Sequence, residues 1–363
     1  MRRSSTLALL TCLVLPAGAV ASPGRASDFE DRVALGAPER PRAVAVPGGP
    51  VITPVQRAPR RFDLLGLRWS DRRSVEIEVR TRRDGHRFGP WTHVEDADAQ
   101  PGRSDPVWTG AADAYQLRLS RPPRGLRAHF VRVRGDPRAR TAVAPRTVRQ
   151  LGSPAIVPRS EWGGDQCAPR RAPATGRVDV AFVHHTVTAA EYGPQDSAAM
   201  VLAICRYHQG SNGWDDIGYN FLVDRFGRVF EGRAGGIDQA VVGAHTQGFN
   251  ALSTGVANLG TFEAVEQTPE ALASLSRLLA WKLHLHGTPV QGTVAATSRG
   301  GSHSRYPAGA TATLQRISGH RDGGLTACPG AALYLQLPQL RTLAVAHAAT
   351  LPPPATLVTP LTP

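Results

Sequence analysis

The sequence predicts a chain of two domains, a small all-β, sandwich-like module followed by an α/β domain with a mixed central sheet flanked by helices. Three observations support this fold class. A length of 363 residues exceeds one average domain. Apolar and polar residues alternate over 75–80 and 115–119, a period of two that is typical of half-buried strands. After residue 156, continuous apolar runs alternate with helical patterns, which favours a sheet covered by helices.

The two ends of the chain carry separate signals. Arg2 and Arg3 precede an apolar stretch and a small-residue site at Ala19-Val20-Ala21, so residues 1–21 are predicted to be an export signal. No apolar run reaches the roughly 18–20 residues of a membrane helix, and no membrane span is expected after signal removal. Residues 346–363 are rich in proline and are predicted to be disordered.

The first half carries nearly all of the positive charge. The β-rich module is predicted over residues 60–136, between Pro/Arg-rich linkers at 22–59 and 137–154. Residues 22–150 hold 25 Arg against 15 Asp and Glu, a net charge of +10, whereas residues 151–363 carry +1. This asymmetry predicts attraction to a polyanion. For an exported protein, anionic cell-wall polymers are favoured over nucleic acid, and a merely solvated basic surface is an equal alternative.

The second domain is predicted over residues 155–345. Its elements in chain order are a buried strand 178–183, an amphipathic helix from Pro194 to Gly210, strands 219–223, 228–231 and 255–262, a long helix opened by Thr268-Pro269, and an exposed insertion 287–315. Proline at a first helical position and threonine before it are start signals for a helix.

Three residues of this domain can together form a catalytic zinc site. His184 ends the first buried strand, His320 lies in Ser-Gly-His-Arg-Asp, and Cys328 follows eight positions later. Two imidazoles and one thiolate leave the fourth tetrahedral position open, as in hydrolytic zinc sites. Pro329 is a favoured first helical residue, so the helix dipole is expected to lower the pKa of the Cys328 thiol. Spacing alone is a weak signal, because twelve histidines offer many chance triples.

The remaining cysteines allow two interpretations. The chain has four cysteines; Cys12 leaves with the predicted signal and Cys328 is a metal candidate. Cys167 and Cys205 are then an even pair in an exported protein, which predicts a disulfide. Two independent buried thiols are the alternative.

Residues 156–341 resemble the phage-lysozyme-like amidase domain shared by peptidoglycan recognition proteins and phage-type wall amidases. The matching stretches are 183–186 (Val-His-His-Thr), 213–221 (Gly-Trp-Asp-Asp-Ile-Gly-Tyr-Asn-Phe), 231–233 (Glu-Gly-Arg), 243–245 (Gly-Ala-His) and the segments around His320 and Cys328. They follow the family's order at similar spacings, and the resemblance does not cover residues 22–150. It implies that His184, His320 and Cys328 are zinc ligands.

The resemblance also implies a reaction, the zinc-dependent hydrolysis of the amide between N-acetylmuramic acid and L-alanine of peptidoglycan. Tyr219 matches the family's catalytic tyrosine. Thr326 stands where phage enzymes carry a lysine and recognition proteins a small hydroxyl residue. Some related amidases place a glutamate base on the strand that corresponds to 255–262, but the best register puts Ala257 there, so no carboxylate base is evident.

A substrate groove is expected from the same resemblance. Its candidate residues are His185, His208, Trp214, Arg233, His245 and Asn250. For His185 and His208 a packed, hydrogen-bonded histidine is the alternative, and for Trp214 a structural role. The chain is therefore predicted to be a secreted, wall-associated zinc amidase whose partner is peptidoglycan. A non-catalytic peptidoglycan-binding protein that uses the same groove is the alternative, and a nucleic-acid-binding protein would leave the zinc constellation unexplained.

Overall fold

The structure is a computed structural model that describes residues 24–35, 49–71, 75–95, 102–134, 147–188 and 192–352. The predicted export signal and residues 353–363 lie outside these residues. The prediction of disorder over 346–363 is wrong at its start, because residues 346–348 end a helix that runs over Ala331–Ala348. Among the described residues no helix is both long and apolar enough to cross a membrane.

The N-terminal domain is one antiparallel sheet of seven strands. The strands are β1 (Arg25–Arg32), β2 (Val51–Ile52), β3 (Gln56–Arg68), β4 (Ile77–Arg82), β5 (Thr92–Val94), β6 (Val107–Leu119) and β7 (Arg127–Arg134). Their order is β1-β7-β3-β6-β4-β5, and β2 also pairs with β6. The alternation that predicts strands is confirmed in β4, where Ile77 and Val79 are buried and Glu78 and Arg80 are partly exposed.

The stretch predicted as a linker, residues 22–59, differs from the structure at both ends. Arg25–Arg32 forms an edge strand in register with β7, and Phe29 stacks on Phe130 with ring centroids 5.0 Å apart. Residues 51–59 contribute β2 and the start of β3. An edge strand gains its main-chain hydrogen bonds on one side while its side chains stay half exposed, so the polar sequence of β1 hides it from a search for apolar alternation.

The second domain is a mixed six-stranded sheet. Its strands are β8 (Ile156–Val157), β9 (Val180–His185), β10 (Phe221–Val223), β11 (Val229–Glu231), β12 (Ser253–Asn258) and β15 (Ile317–Gly319), in the order β15-β9-β12-β10-β11-β8. Only the β10–β11 pair is antiparallel. The helices are α1 (Arg159–Trp162), α2 (Ser197–Gly210), α3 (Pro269–Leu285), α4 (His320–Gly323) and α5 (Ala331–Ala348).

Helices cover both faces of this sheet. Helices α3 and α5 pack together over β9 and β12 through a cluster that includes Leu279 and Leu337. Helix α3 begins as predicted, because the Thr268 hydroxyl accepts the Ala271 N–H and Pro269 follows the cap. Helix α2 covers the opposite face. The stretch predicted as an exposed insertion instead contains the hairpin of β13 (Thr293–Thr297) and β14 (Thr311–Gln315).

The two domains share one hydrophobic cluster centred on α2. Tyr207 is fully buried there, and its hydroxyl donates to the Ser104 carbonyl at 2.9 Å. Arg206 pairs with Asp28 of β1 at 2.9 Å. The N-terminal residues of this cluster are Leu64, Trp108, Val131 and Val133. The module therefore packs directly against the helix that covers the second sheet.

Candidate metal centre

The predicted ligands converge at one edge of the second sheet. His184 lies near the carboxyl end of β9, and His320 opens α4 directly after the neighbouring parallel strand β15. Cys328 lies in the loop before α5. One ligand atom of each residue lies within 4.8 Å of the other two, and His184 Nδ1 is 3.8 Å from Cys328 Sγ. All three side chains are buried. The structure thus brings together the three residues that the sequence separates by 144 positions.

A hydrogen-bond chain fixes the orientation of the His184 ring. His184 Nε2 lies 3.1 Å from His245 Nδ1, His245 Nε2 lies 3.5 Å from Ser253 Oγ, and Ser253 Oγ donates to the Phe249 carbonyl. These partners place a proton on His184 Nε2 and leave the Nδ1 lone pair directed toward Cys328. Metal-ligating histidines are commonly held in this way by their second ring nitrogen.

The charge state of the three side chains is governed by burial. Burial lowers the pKa of His184 well below its ordinary value and that of His320 to about 3, with neighbouring histidines adding to the shift of His184. Burial raises the pKa of the Cys328 thiol. The prediction that a helix dipole lowers the pKa of Cys328 is wrong, because α5 begins at Ala331, three residues after the cysteine.

The donor set nevertheless fits zinc. Two neutral imidazoles and a cysteine sulfur are the ligands of tetrahedral zinc with one open position. The His185 backbone N–H donates to Cys328 Sγ at 3.3 Å, which favours a thiolate. His320 Nε2 is buried without a hydrogen-bond partner among the described residues. A divalent cation held by the three side chains would replace the proton on the buried sulfur.

A glutamate of the N-terminal domain reaches this centre. Glu95 follows β5 directly; its Oε1 lies 3.0 Å from His185 Nε2, and its Oε2 accepts the Thr326 hydroxyl at 3.0 Å. Burial acts to raise the pKa of Glu95, but the hydrogen bonds that it accepts, the one from His185 first, hold it below the ordinary value. Sequence reasoning missed this residue, because Glu95 lies in a polar loop and no local pattern connects it to the other domain.

Comparisons with known proteins follow the same division of the chain. Residues 174–331 match the family model described as N-acetylmuramoyl-L-alanine amidase, and residues 26–149 match the Rv3811 N-terminal galactose-binding domain-like family. Peptidoglycan-recognition protein SC2 of Drosophila melanogaster is 32% identical over 184 residues, which cover 50% of this chain and 84% of that protein. The chain belongs to the family of peptidoglycan recognition proteins and N-acetylmuramoyl-L-alanine amidases. The predicted fold class, a β-rich domain before an α/β domain, is confirmed.

Other relatives also match about half of this chain. The human N-acetylmuramoyl-L-alanine amidase is 34% identical over 193 residues, which cover 51% of this chain and 28% of the human protein. Among solved structures, the complex of tracheal cytotoxin with the ectodomains of peptidoglycan recognition proteins LCa and LCx is similar at 28% identity and a TM-score of 0.39; the match covers 50% of this chain and 93% of that chain.

The two residues expected to take part in catalysis lie beside different ligands of the predicted zinc site. The Tyr219 ring, 8% exposed, lies 5.4 Å from the His184 ring between centroids. Thr326 is half-buried, and its hydroxyl accepts the Cys328 backbone N–H at 3.0 Å while it donates to Glu95. Thr326 is therefore tied to both a proposed ligand and the other domain.

Several residues expected in the substrate groove have structural contacts instead. His245 is buried behind His184, and Asn250 Oδ1 accepts the backbone N–H groups of His245 and Thr246. His185 is buried and bonded to Glu95. In these positions the residues supply the hydrogen-bonded surroundings that buried metal ligands commonly have.

The other three groove candidates lie on the Tyr219 side of the centre. His208 is buried, its Nδ1 accepts the Gly218 N–H at 3.1 Å, and its ring contacts those of Trp214 and Tyr219. The packed alternative for His208 therefore agrees with its environment. Trp214 is half-buried, and Arg233 lines a cavity of about 250 Å³ bordered by Asp215.

The predicted disulfide is present, since Cys167 and Cys205 are bonded. It links the segment after α1 to helix α2. Cys328 is the remaining cysteine within the described residues and is a free thiol.

Gly255 of β12 gives His245 the space to reach His184. A Cβ added at this glycine would lie 2.4 Å from His245 Cγ, so Gly255→Ala must displace the ring. Residues that hydrogen-bond to a metal ligand contribute about 10–100-fold to metal affinity. We therefore expect a loss of zinc affinity in this range, measured by competition with a chromogenic chelator. Gly89→Ala, whose added Cβ has no neighbour nearer than 3.7 Å, is the control. Unchanged zinc affinity in Gly255→Ala would show that the ring does not support the metal.

Proposed function

We propose that this family member is an exported, zinc-dependent N-acetylmuramoyl-L-alanine amidase. The observation that carries the proposal is the buried cluster of His184, His320 and Cys328, with Tyr219 beside it. A protein that only binds the wall has no need for a thiol and two imidazoles in ligand positions. Membership in a family that contains both amidases and recognition proteins agrees with this function.

The residues would divide the chemistry as follows. His184, His320 and Cys328 would hold zinc, which polarises the scissile carbonyl and lowers the pKa of water. Tyr219 would donate a hydrogen bond to the oxygen that becomes negative as the amide is attacked. Thr326 can donate or accept a hydrogen bond but supplies no positive charge.

A non-catalytic peptidoglycan-binding protein is the second candidate function. The observation that favours it is the burial of the centre, where His184, His320 and Cys328 are each at most 7% exposed. A substrate amide has to reach these atoms for hydrolysis. Turnover therefore separates the two candidates, whereas binding to the wall does not.

The experiment measures new L-alanine amino termini released from purified peptidoglycan by the full chain. The proposal expects release that stops when zinc is removed by a chelator and returns when zinc is restored. Magnesium added to the chelated protein is the control for a general cation effect. Co-sedimentation with peptidoglycan without any release would contradict the amidase and favour the binding protein.

We also propose that the basic N-terminal half attracts anionic wall polymers. Its net charge of +10 supports this, as do exposed arginines such as Arg57 and Arg61, whose side chains are 77% and 54% exposed. Binding through such charges weakens steeply as salt screens them. We expect the affinity of the full chain for polymer-bearing walls to fall at least tenfold between about 50 and 200 mM salt. A protein that makes 6–10 contacts to a phosphate polymer loses about 10³–10⁵-fold in affinity over this range. Equal binding to walls stripped of anionic polymer would contradict this role.

A further inference from the structure

Glu95 is held by hydrogen bonds at both of its carboxylate oxygens. His185 Nδ1 accepts a hydrogen bond from the Phe262 backbone N–H, with 3.4 Å between the nitrogens. The ring hydrogen is therefore on His185 Nε2, which donates a hydrogen bond to Glu95. The Thr326 hydroxyl accepts a hydrogen bond from the Cys328 N–H and donates one to the other Glu95 oxygen, Oε2. The geometry therefore suits a carboxylate that accepts from both sides.

These two donors place the carboxylate beside the proposed metal centre. His185 adjoins His184 in the chain, and Thr326 precedes Cys328 by two positions. Glu95 consequently connects the strand end that carries one proposed ligand to the loop that carries another. Its side chain is 9% exposed, so it is directed into the second domain rather than into solvent.

Among the described residues of the second domain, no buried carboxylate lies on the strand position opposite His184. Ala257 of β12 pairs in register with His184, so the strand position from which a base would face the metal carries a methyl group. Glu263 is an alternative among the described residues, since one of its carboxylate oxygens lies within 4.8 Å of a Glu95 oxygen and a His185 ring nitrogen. Glu263 is exposed, however, and its Oε2 accepts the Ala331 N–H at 3.2 Å.

The position of Glu95 depends on the interface between the domains. The Asp105 N–H donates to the Glu95 carbonyl at 2.8 Å, and the preceding residue, Ser104, accepts the Tyr207 hydroxyl of α2. The Arg103 side chain donates to the Asn212 carbonyl at 2.8 Å. Packing of the module on α2 thus holds the backbone that delivers the carboxylate.

We propose that Glu95 is the proton-transferring carboxylate of the amidase site, so that the N-terminal domain completes the active site of the second domain. This inference rests on the proposed amidase function. As the water oxygen bonds to the amide carbon, Glu95 takes one proton from that water. As the carbon–nitrogen bond breaks, the same proton passes to the L-alanine nitrogen. Water and the amide together supply every atom of the carboxylic acid and amine products.

The test compares Glu95→Gln with the parent full chain loaded with zinc. General acid–base residues contribute about 10²–10⁴-fold to rate, so we expect turnover of a soluble muramoyl peptide to fall at least 100-fold. Zinc per chain, the thermal midpoint and the affinity of the zinc-free chain for the muramoyl peptide are expected to match the parent. Glu78→Gln, a partly exposed glutamate of the same module that pairs with Arg118, is the matched control and is expected to keep full turnover.

Four outcomes overturn the inference while the parent chain is active. Turnover of Glu95→Gln within about twofold of the parent removes the proton-transfer role. A rise in turnover identifies Glu95 as a plug over the site, and loss of zinc together with turnover identifies a purely structural residue. Selective loss of turnover in Glu263→Gln would assign the role to that residue instead. An inactive parent chain overturns the proposed function itself, and the inference with it.

Discussion

Cys328→Ser is expected to lose zinc and amide cleavage together. The serine hydroxyl is a much weaker zinc ligand than a thiolate, and only His184 and His320 would remain in place. Changes in residues that hydrogen-bond to a ligand already cost about 10–100-fold in metal affinity. Removal of a direct ligand should therefore lower zinc affinity by more than about 100-fold. Cleavage of peptidoglycan should fall to the background rate, since both the activation of water and the polarisation of the carbonyl depend on the metal.

The measurement pairs zinc content by elemental analysis with the release of L-alanine amino termini. Serine is smaller than cysteine and neutral, so the fold of the buried loop is expected to persist, which the thermal midpoint of the zinc-free proteins checks. His284→Gln, a change on α3 where the ring meets the Pro352 carbonyl, is the control that keeps zinc and activity. Full zinc occupancy in Cys328→Ser would show that this thiol is not a ligand.

Gly66→Ala is expected to disturb the contact between the two domains. A Cβ at this position of β3 would lie 2.2 Å from Cζ and Oη of Tyr207. The ring cannot move aside without losing its hydrogen bond to Ser104 and its edge contact with His129, whose centroid is 5.4 Å away. Overpacking of this kind costs about 1–3 kcal/mol, which we expect as a loss in the free energy of unfolding measured with urea.

The same substitution should lower amidase turnover, because the displaced helix α2 holds the segment that delivers Glu95. Gly89→Ala is again the control, as its added Cβ meets only an ordinary contact. Stability and turnover that both match the parent would contradict a tight contact at Gly66. A loss of stability with unchanged turnover would show that packing at this interface does not control the position of Glu95.

Sequence alone predicts the features that depend on local patterns. The Thr268-Pro269 start of α3 follows from capping chemistry, and the Cys167–Cys205 pair follows from counting cysteines in an exported chain. The resemblance to the amidase family also predicts that His184, His320 and Cys328 converge, whereas their spacing alone is a weak signal among twelve histidines.

Features that depend on the packing of distant segments are not predictable in this way. The strand at Arg25–Arg32 has a polar sequence and is stabilised by pairing with β7 across about a hundred residues. Glu95 lies in a polar loop, and its proposed role depends on the contact of Ser104 with Tyr207. His245 resembles a groove residue in sequence, yet the missing side chain at Gly255 lets it lie beneath His184.

The most direct test of a metal centre completed by both domains is X-ray diffraction at the zinc absorption edge from crystals of the full chain grown with zinc. We expect one anomalous peak among His184, His320 and Cys328, with the Glu95 carboxylate beside the open coordination position but not bound to the metal. No peak at these residues would contradict the metal centre. A Glu95 oxygen bound as the fourth ligand would close the open position and contradict its role in proton transfer.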